Sequence, residues 1–368
     1  MGCQKGASMK QRILMIGYGW RSKFYERVIR CLNQKLEVCG IMMRTKKRAQ
    51  EVKNETGIYA TNCLDDALGL KPDFILLCVP KAAAKDWLIR LMKTGIPVLC
   101  ETPPALDIED LNELWQVNCQ YNGKVQVAEQ YFMQPYYSAV QNIIQSGILG
   151  DIVNVNMSAI HEYHALSIFR KFLGIGYETC KIRGSRFHFP VTKTRNRLGW
   201  HETGEILYPQ RDRVELVFEN GKTAFYDFDK EHYFSPIRAR SWTIQGIRGE
   251  VKNMSVCYLD DRNRPLTEAM YRVDDGIYNI DGWSHDYISF RGKRIYENPF
   301  PGARLNDDEL AIADMLMRMA NYVKTGEDFY PLQEGLQDAY LDVCMEEALR
   351  TGNVIETQKQ SWSIESYE

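Results

Sequence analysis

Apolar residues are laid out along this chain in two textures. From Arg12 to Gln130, short continuously apolar runs alternate with stretches in which apolar residues recur every three or four positions. "RILMIGYG" reads as a strand running into Gly17, and "WRSKFYERVIRCLNQ" carries Phe24, Val28, Ile29 and Leu32 at helical spacing. "LEVCGIMMR" predicts a second strand, "KKRAQEVKNETG" a helix closed by Gly57, and "DFILLCVP" a third strand ended by Pro80. Two more rounds follow: the helix "AAAKDWLIRLMKTG" with the strand "PVLCE", then the helix "IEDLNELWQVNCQYNG" with the strand "KVQVAEQ". Strands that are apolar on both faces and separated by helices belong to a parallel sheet covered on both sides. The expectation is an α/β chain with a doubly wound N-terminal Rossmann domain over residues 11–130, preceded by a flexible tail at residues 1–10.

Beyond residue 130 the texture changes. A helix from about Pro135 to Gly147 precedes "DIVNVNMSA", in which apolar residues alternate, and the alternation returns in "RVELVFENGKTAFYDF" around an Asn220-Gly221 hairpin turn. Two amphipathic stretches, "DDELAIADMLMRMANYVKTG" and "LQEGLQDAYLDVCMEEALRTG", close the chain as helices stopped by glycine. Residues 131–368 are expected to form a C-terminal α+β domain for substrate binding and oligomerisation. Its mostly antiparallel sheet would be open on one face. An apolar sheet surface left in water invites aggregation, so a homodimer or homotetramer is expected.

Composition narrows the function. The formal net charge of −2 gives no electrostatic footprint for nucleic acid or for an anionic membrane surface. The longest apolar runs are too short to span a bilayer, and "MGCQKGASMK" has neither a secretory signal nor, with Gly6 in place of Ser or Thr, a myristoylation site. Ten scattered cysteines include no CxxC, and Cys31, Cys39, Cys63, Cys78, Cys100 and Cys119 fall in or beside apparent core elements. Buried free thiols in a reducing cytoplasm are the expectation, with a small molecule as the partner.

Gly17-Tyr18-Gly19-Trp20-Arg21-Ser22 supplies the first two glycines of a dinucleotide fingerprint between a strand and a helix. The first permits a tight turn and the second lets the backbone approach a pyrophosphate at the helix N-terminus. Ser22 takes the place of the third glycine and can offer a hydroxyl to phosphate, while Arg21 can add charge. The second strand ends without the acid that would accept from a free ribose 2′-hydroxyl; Arg44 and Thr45 stand there instead, which favours NADP over NAD. Val79, Pro80, Glu101, Pro103, Glu129 and Gln130 lie at later strand ends, where ligands of doubly wound sheets collect.

These pieces in this order resemble the Gfo/Idh/MocA family of sugar, inositol and related oxidoreductases, from about Arg12 to Glu356. "GYGWRS" resembles its glycine turn, "CVPKAAAKDWLIRLMKTGIPVLCETPPA" the segment reaching its Glu-Lys-Pro motif, "SAVQNIIQSGILGDIVNV" its linker helix and following strand, and "YPLQEGLQDAYLDVCMEEALRTGNVIE" its closing helix. The resemblance implies a nicotinamide cofactor and an acid/base histidine, matched by His164, which lies ten residues before Gly174. Glu101 and Pro103 match the motif, whereas Thr102 stands where the family has lysine. Ser167 and Phe132 also depart from the family's aspartate and arginine.

The implied function is hydride transfer between the nicotinamide and a sugar or polyol-like substrate, with His164 as acid/base and Thr102 as a hydrogen-bonding neighbour of the substrate oxygen. Two alternatives stay open: cleavage of a glycoside through transient oxidation by a tightly bound nicotinamide, and binding of a ligand without turnover. Tyr163 is either a proton donor or an interface aromatic. His161 and His164, three residues apart, supply two of the ligands a metal would need and no clear third, so no metal is expected. "HFPVTKTRNRLGWHE" is read as a loop, solvated or bringing Arg195, Arg197 or His201 to the substrate.

Overall fold

A computed structural model describes residues 10–276 and 282–363, so the expected flexible tail lies outside the described residues apart from Lys10. The chain divides into two units. The first comprises Met1–Met133, Gly276–His285 and Pro299–Leu336; the second comprises Gln134–Asp275, Asp286–Asn298 and Gln337–Glu368.

The first unit is built on β1 (Gln11–Ile16), β2 (Leu36–Met42), β3 (Ala60–Thr61), β4 (Phe74–Leu77), β5 (Val98–Cys100) and β6 (Val125–Val127). They form a six-stranded sheet in the order β3-β2-β1-β4-β5-β6, and every pairing in it is parallel. The helices α1 (Trp20–Cys31), α2 (Lys46–Thr56), α3 (Leu64–Leu68), α4 (Lys81–Met92) and α5 (Ile108–Tyr121) connect them. Ile13 to Ile16 and Phe74 to Leu77 are buried without interruption, the burial that a sheet covered on both faces requires. Caps set the helix ends: Thr45 and Asp107 accept from the backbone N–H groups of Arg48 and Asp110, and Gly57 closes α2 at φ 74°. The short pair β3 and α3 has too few residues to carry a period, and the sequence pattern passes over it.

The boundaries differ from the expected 11–130 and 131–368. The helix Asp307–Thr325 belongs to the first unit, because Leu310, Ile312, Met315, Leu316 and Met319 enter one core with Ile13, Tyr25, Val28 and Leu76. Its start is set by a capping box between Asn306 and Glu309, and its end by Gly326 at φ 75°. Amphipathicity announces that such a helix needs a surface to cover but does not say which one.

In the second unit, α6 (Pro135–Gln145) precedes β7 (Ile152–Ser158), α7 (Glu162–Leu173) and β8 (Cys180–His188). β7 and β8 belong to a nine-stranded, mostly antiparallel sheet. The predicted hairpin joins Gln210–Phe218 to Thr223–Phe228, with Gly221 at φ 82°. One face of the sheet buries Val155, Met157, Ile182, Val214, Leu216, Ala224 and Tyr226.

The opposite face corrects the expectation of an apolar surface. It carries Lys181, Arg183, Arg213, Glu215 and Asp227, and its rows are tied by polar bonds: Thr223 to Asn154 at 3.0 Å, Asn154 to Gln245 at 2.8 Å, and Arg213 to Asp227 at 3.3 Å. Phe187, Val217 and Phe225 are scattered apolar residues among them, each between 36% and 40% exposed, and the Phe187 ring stacks on that of Phe189 at 5.7 Å. The expected loop at residues 188–202 is in part a two-stranded ribbon pairing Arg195 with Trp200 and Asn196 with Gly199.

Candidate functional site

In the first unit the chain leaves β1 through Gly17, whose φ is +92° and whose N–H donates to the Met42 carbonyl at 3.0 Å. A Cβ on Gly17 would lie 2.1 Å from the Cys78 carbonyl oxygen, so only glycine fits between the ends of β1 and β4. The strand order reverses between those two strands, which is where a doubly wound sheet opens its crevice. Gly19 then caps α1 in an extended conformation, and a Cβ there would meet no protein atom within 4 Å. The first glycine is demanded by the protein and the second leaves space over the positive end of a helix, a cradle that suits a pyrophosphate. Val79, half-buried, and Pro80, exposed, flank this turn from the far side of β4, and Trp20 is 57% exposed at the start of α1.

These two glycines give a clean separation of roles. Gly17→Ala is expected to destabilise the first unit by about 3 kcal/mol, from the positive φ and the clash with Cys78. Gly19→Ala should leave stability within about 1 kcal/mol, as for other helix caps. Both should weaken dinucleotide binding more than tenfold, read by thermal unfolding and calorimetric titration. Tight binding by the Gly19→Ala protein would show that the ligand stays away from this backbone.

Two expected phosphate contacts are corrected. The Ser22 side chain is fully buried; its hydroxyl donates to the Gly17 carbonyl and accepts from Gly19 N–H, both at 3.2 Å, so it closes the turn. Arg21 turns to carboxylates, pairing with Glu101 at 3.2 Å and Asp308 at 3.0 Å. Burial alone would lower its pKa, but the carboxylates of Glu101 and Asp308 outweigh it and hold the guanidinium above its usual range. The same Glu101 oxygen accepts from the Tyr25 hydroxyl, and its other oxygen accepts from Thr102 N–H at 3.2 Å. Oriented to satisfy its neighbours, the Gln130 amide accepts from Arg21 at 2.5 Å and donates to the Ala128 carbonyl at 2.8 Å.

Arg21, Glu101 and Gln130 therefore form one network with Tyr25 and Asp308, two residues that sequence reasoning missed. Tyr25 lies one helical turn after Arg21, the only local signal; Asp308 has none, since it lies in the helix Asp307–Thr325 far along the chain. Thr102 is half-buried and joined to Pro103 by a cis peptide bond. Glu129 is fully buried and accepts from Tyr131 N–H at 3.0 Å. Burial, then the Glu101 carboxylate, push the Cys78 thiol up to about 12, so it stays protonated near neutral pH.

At the end of β2, the exposed Thr45 caps α2, its hydroxyl oxygen accepting from Arg48 N–H at 3.2 Å. Arg44 is exposed and makes no ion pair among the described residues. The cysteines also need correction: Cys100 is buried, Cys39 and Cys78 are half-buried, but Cys31, Cys63 and Cys119 are exposed, being on helix faces or ends turned to water.

The second unit presents His164 on α7, half-buried, with the ring of Tyr163 at 5.5 Å and that of His161 at 4.9 Å, each nearly perpendicular to it. The Ser167 hydroxyl donates to the His164 carbonyl at 2.9 Å, so the residue that replaces the expected acid serves the helix backbone. Tyr163 is only 4% exposed, which argues for packing over proton donation. Glu162 has φ +41°, a conformation that costs a non-glycine residue on the order of 1–3 kcal/mol and that clusters at functional positions. Among the described residues, no group of three or more His, Cys, Asp or Glu is placed to hold a metal ion.

Residues 11–129 match the model of the Gfo/Idh/MocA oxidoreductases, described as an oxidoreductase family with an NAD-binding Rossmann fold. The match covers 119 of the 368 residues, all of them in the first unit. YteT of Bacillus subtilis (strain 168) is 20% identical over 309 residues, 82% of this chain; the chain spans 66% of YteT, just under two thirds of its length. Two solved dehydrogenases extend the likeness. Levoglucosan dehydrogenase in complex with NADH superposes with a TM-score of 0.69 at 14% identity, covering 96% of this chain and 100% of that one. The apo scyllo-inositol dehydrogenase of Lactobacillus casei gives 0.65 at 17% identity, covering 94% and 98%. At such identities the likeness shows the fold alone, over nearly the whole chain, and leaves the chemistry to the side chains. Among the described residues, no helix is long and apolar enough to cross a membrane.

Proposed function

We propose that this chain is a nicotinamide-dependent oxidoreductase acting on a sugar or polyol-like substrate. The observation that carries the reading is the turn at Gly17 and Gly19, closed to a side chain at the first and open at the second, inside a domain of an NAD-binding oxidoreductase family. The cofactor, when bound, accepts or donates the hydride. Gly17 and Gly19 bring the backbone to its pyrophosphate, Val79, Pro80 and Pro103 bound the adjoining strand ends, and Glu101, fixed by Tyr25 and Arg21, sets the position of Thr102. In the oxidative direction His164 takes the carbinol proton as the C–H bond gives up its hydride.

NADP is the preferred cofactor, because the exposed guanidinium of Arg44 follows a strand that ends without an acid and has, among the described residues, no ion pair to neutralise it. Calorimetric titration should give NADP about tenfold tighter binding than NAD, and Arg44→Glu should reverse the order. Tighter NAD binding by the unaltered protein would overturn this reading. Turnover is tested with myo-inositol, scyllo-inositol, levoglucosan, D-glucose and aryl glycosides, followed by reduced-nicotinamide absorbance and by product chromatography.

A second reading, glycoside cleavage through transient oxidation with no net redox change, is favoured by one observation. Thr102 has no charge, and the guanidinium of Arg21 beside it in the network is committed to Glu101 and Asp308. Cleavage without net absorbance change would select it, and binding without turnover would leave a ligand-binding relative. The nine free thiols of the described residues support a cytoplasmic, reducing setting.

A further inference from the structure

The turn before α7 is held more firmly than a helix start requires. Glu162, in its left-handed conformation, donates its N–H to the Tyr226 hydroxyl at 3.1 Å. His161 donates its N–H to the Tyr233 hydroxyl at 3.3 Å, and the same hydroxyl bonds Nδ1 of the His161 ring. When that hydroxyl gives its proton to Nδ1, a neutral His161 carries its own proton on Nε2. One hydroxyl thus bonds both the backbone and the ring of His161.

Tyr233 is itself supported. Arg240 donates to the carbonyls of His232 at 3.1 Å and Tyr233 at 3.4 Å, and its guanidinium lies 5.2 Å over the Tyr233 ring. Asp229, 4% exposed, caps the short turn Lys230–Tyr233 by accepting from Glu231 N–H at 2.9 Å, and it faces the buried His232. Phe228 packs edge-on to Tyr233 at 5.2 Å. These contacts converge on the position of a single phenol, whose bonding partner stands perpendicular to His164 with ring centroids 4.9 Å apart.

We propose that Tyr233 and His161 are a positioning pair for His164: Tyr233 fixes the His161 imidazole in its Nε2–H form, and the His161 ring fixes the orientation of the His164 ring. The pair makes and breaks no bond in the reaction. The proposal rests on the reading of His164 as the acid/base, and the test separates the two.

Tyr233→Phe removes the hydroxyl and keeps the ring that Phe228 and Arg240 contact. Histidine-selective nitrogen NMR on the full-length protein needs no substrate. The unaltered protein should show His161 as one fixed Nε2–H tautomer, and Tyr233→Phe should show an average of two. With whichever member of the sugar panel is turned over, kcat should fall about tenfold while KM and cofactor affinity stay within about twofold. His161→Asn, whose side-chain oxygen can still meet the Tyr233 hydroxyl, should retain several times the kcat of His161→Ala. Averaged tautomers in the unaltered protein, or unchanged kcat in Tyr233→Phe, would overturn the pair. Full activity in His164→Ala would instead overturn the acid/base reading and the positioning role with it, whatever the NMR spectra of the pair show.

Discussion

Asp338→Ala should destabilise the second unit by about 3–5 kcal/mol, the usual cost of stripping one partner from a buried ion pair. Asp338 is fully buried and Arg170 is 3% exposed; Nη1 and Oδ1 are 2.7 Å apart. The remaining guanidinium donors reach the Gly176 carbonyl at 3.1 and 2.8 Å, so the arginine cannot swing out to water without breaking the turn after α7. Alanine strips that buried charge of its Asp338 carboxylate and leaves a cavity beside it. The pair need not be a large net source of stability, because desolvation offsets much of the attraction. The double variant Arg170→Met with Asp338→Leu should therefore recover most of the loss. Calorimetric unfolding checks both: the single variant should melt roughly 10 °C lower, and a shift below about 2 °C would mean that the charge has found water. Arg170 shares α7 with His164, so the loss also bears on how firmly that helix is seated.

What the sequence made legible was local. The tight turn at Gly17 follows from an apolar strand, two glycines and a helical period, all within a few residues. The stops at Gly57 and Gly326 and the hairpin at Asn220-Gly221 are equally local, since each answers a backbone need that glycine or asparagine meets at low cost. What stayed hidden depends on contacts between distant segments. Arg21 next to a glycine turn reads as a phosphate ligand until Asp308 and Glu101 are seen on either side of its guanidinium. Ser22 reads as a hydroxyl for a ligand until the carbonyl of Gly17 is found to take it. The helix Asp307–Thr325 follows the second texture in sequence but fills the first unit's core, because its apolar stripe matches any apolar surface of suitable shape. The outer sheet face was misjudged because alternation assigns residues to two faces without revealing how the polar rows of neighbouring strands will meet. His164, the proposed acid/base, is singled out only by a family resemblance; Tyr226 and Tyr233 give no signal, being ordinary aromatics until the fold brings their hydroxyls to the turn before α7.

His164→Ala should lower kcat by about 10²–10⁴-fold, the range expected when a positioned general acid or base is removed. Three features make the loss specific. Alanine is the best helix former, so α7 should persist, and the Ser167 hydroxyl bond to the residue 164 carbonyl does not depend on the side chain. His161 cannot simply substitute, because its Nδ1 is engaged by Tyr233. The glycine turn that defines the dinucleotide site is built entirely from residues of the first unit, so NADP affinity should remain within about twofold of the unaltered protein, well under the tenfold that about 1.4 kcal/mol represents. Stopped kinetics with intact cofactor binding is therefore the expected signature, and added imidazole should restore part of the rate by replacing the missing group in the space the truncation opens. A variant that turns over the same substrate at full rate would remove His164 from the chemistry; one that loses rate and cofactor affinity together would show that the ring holds structure and not a proton.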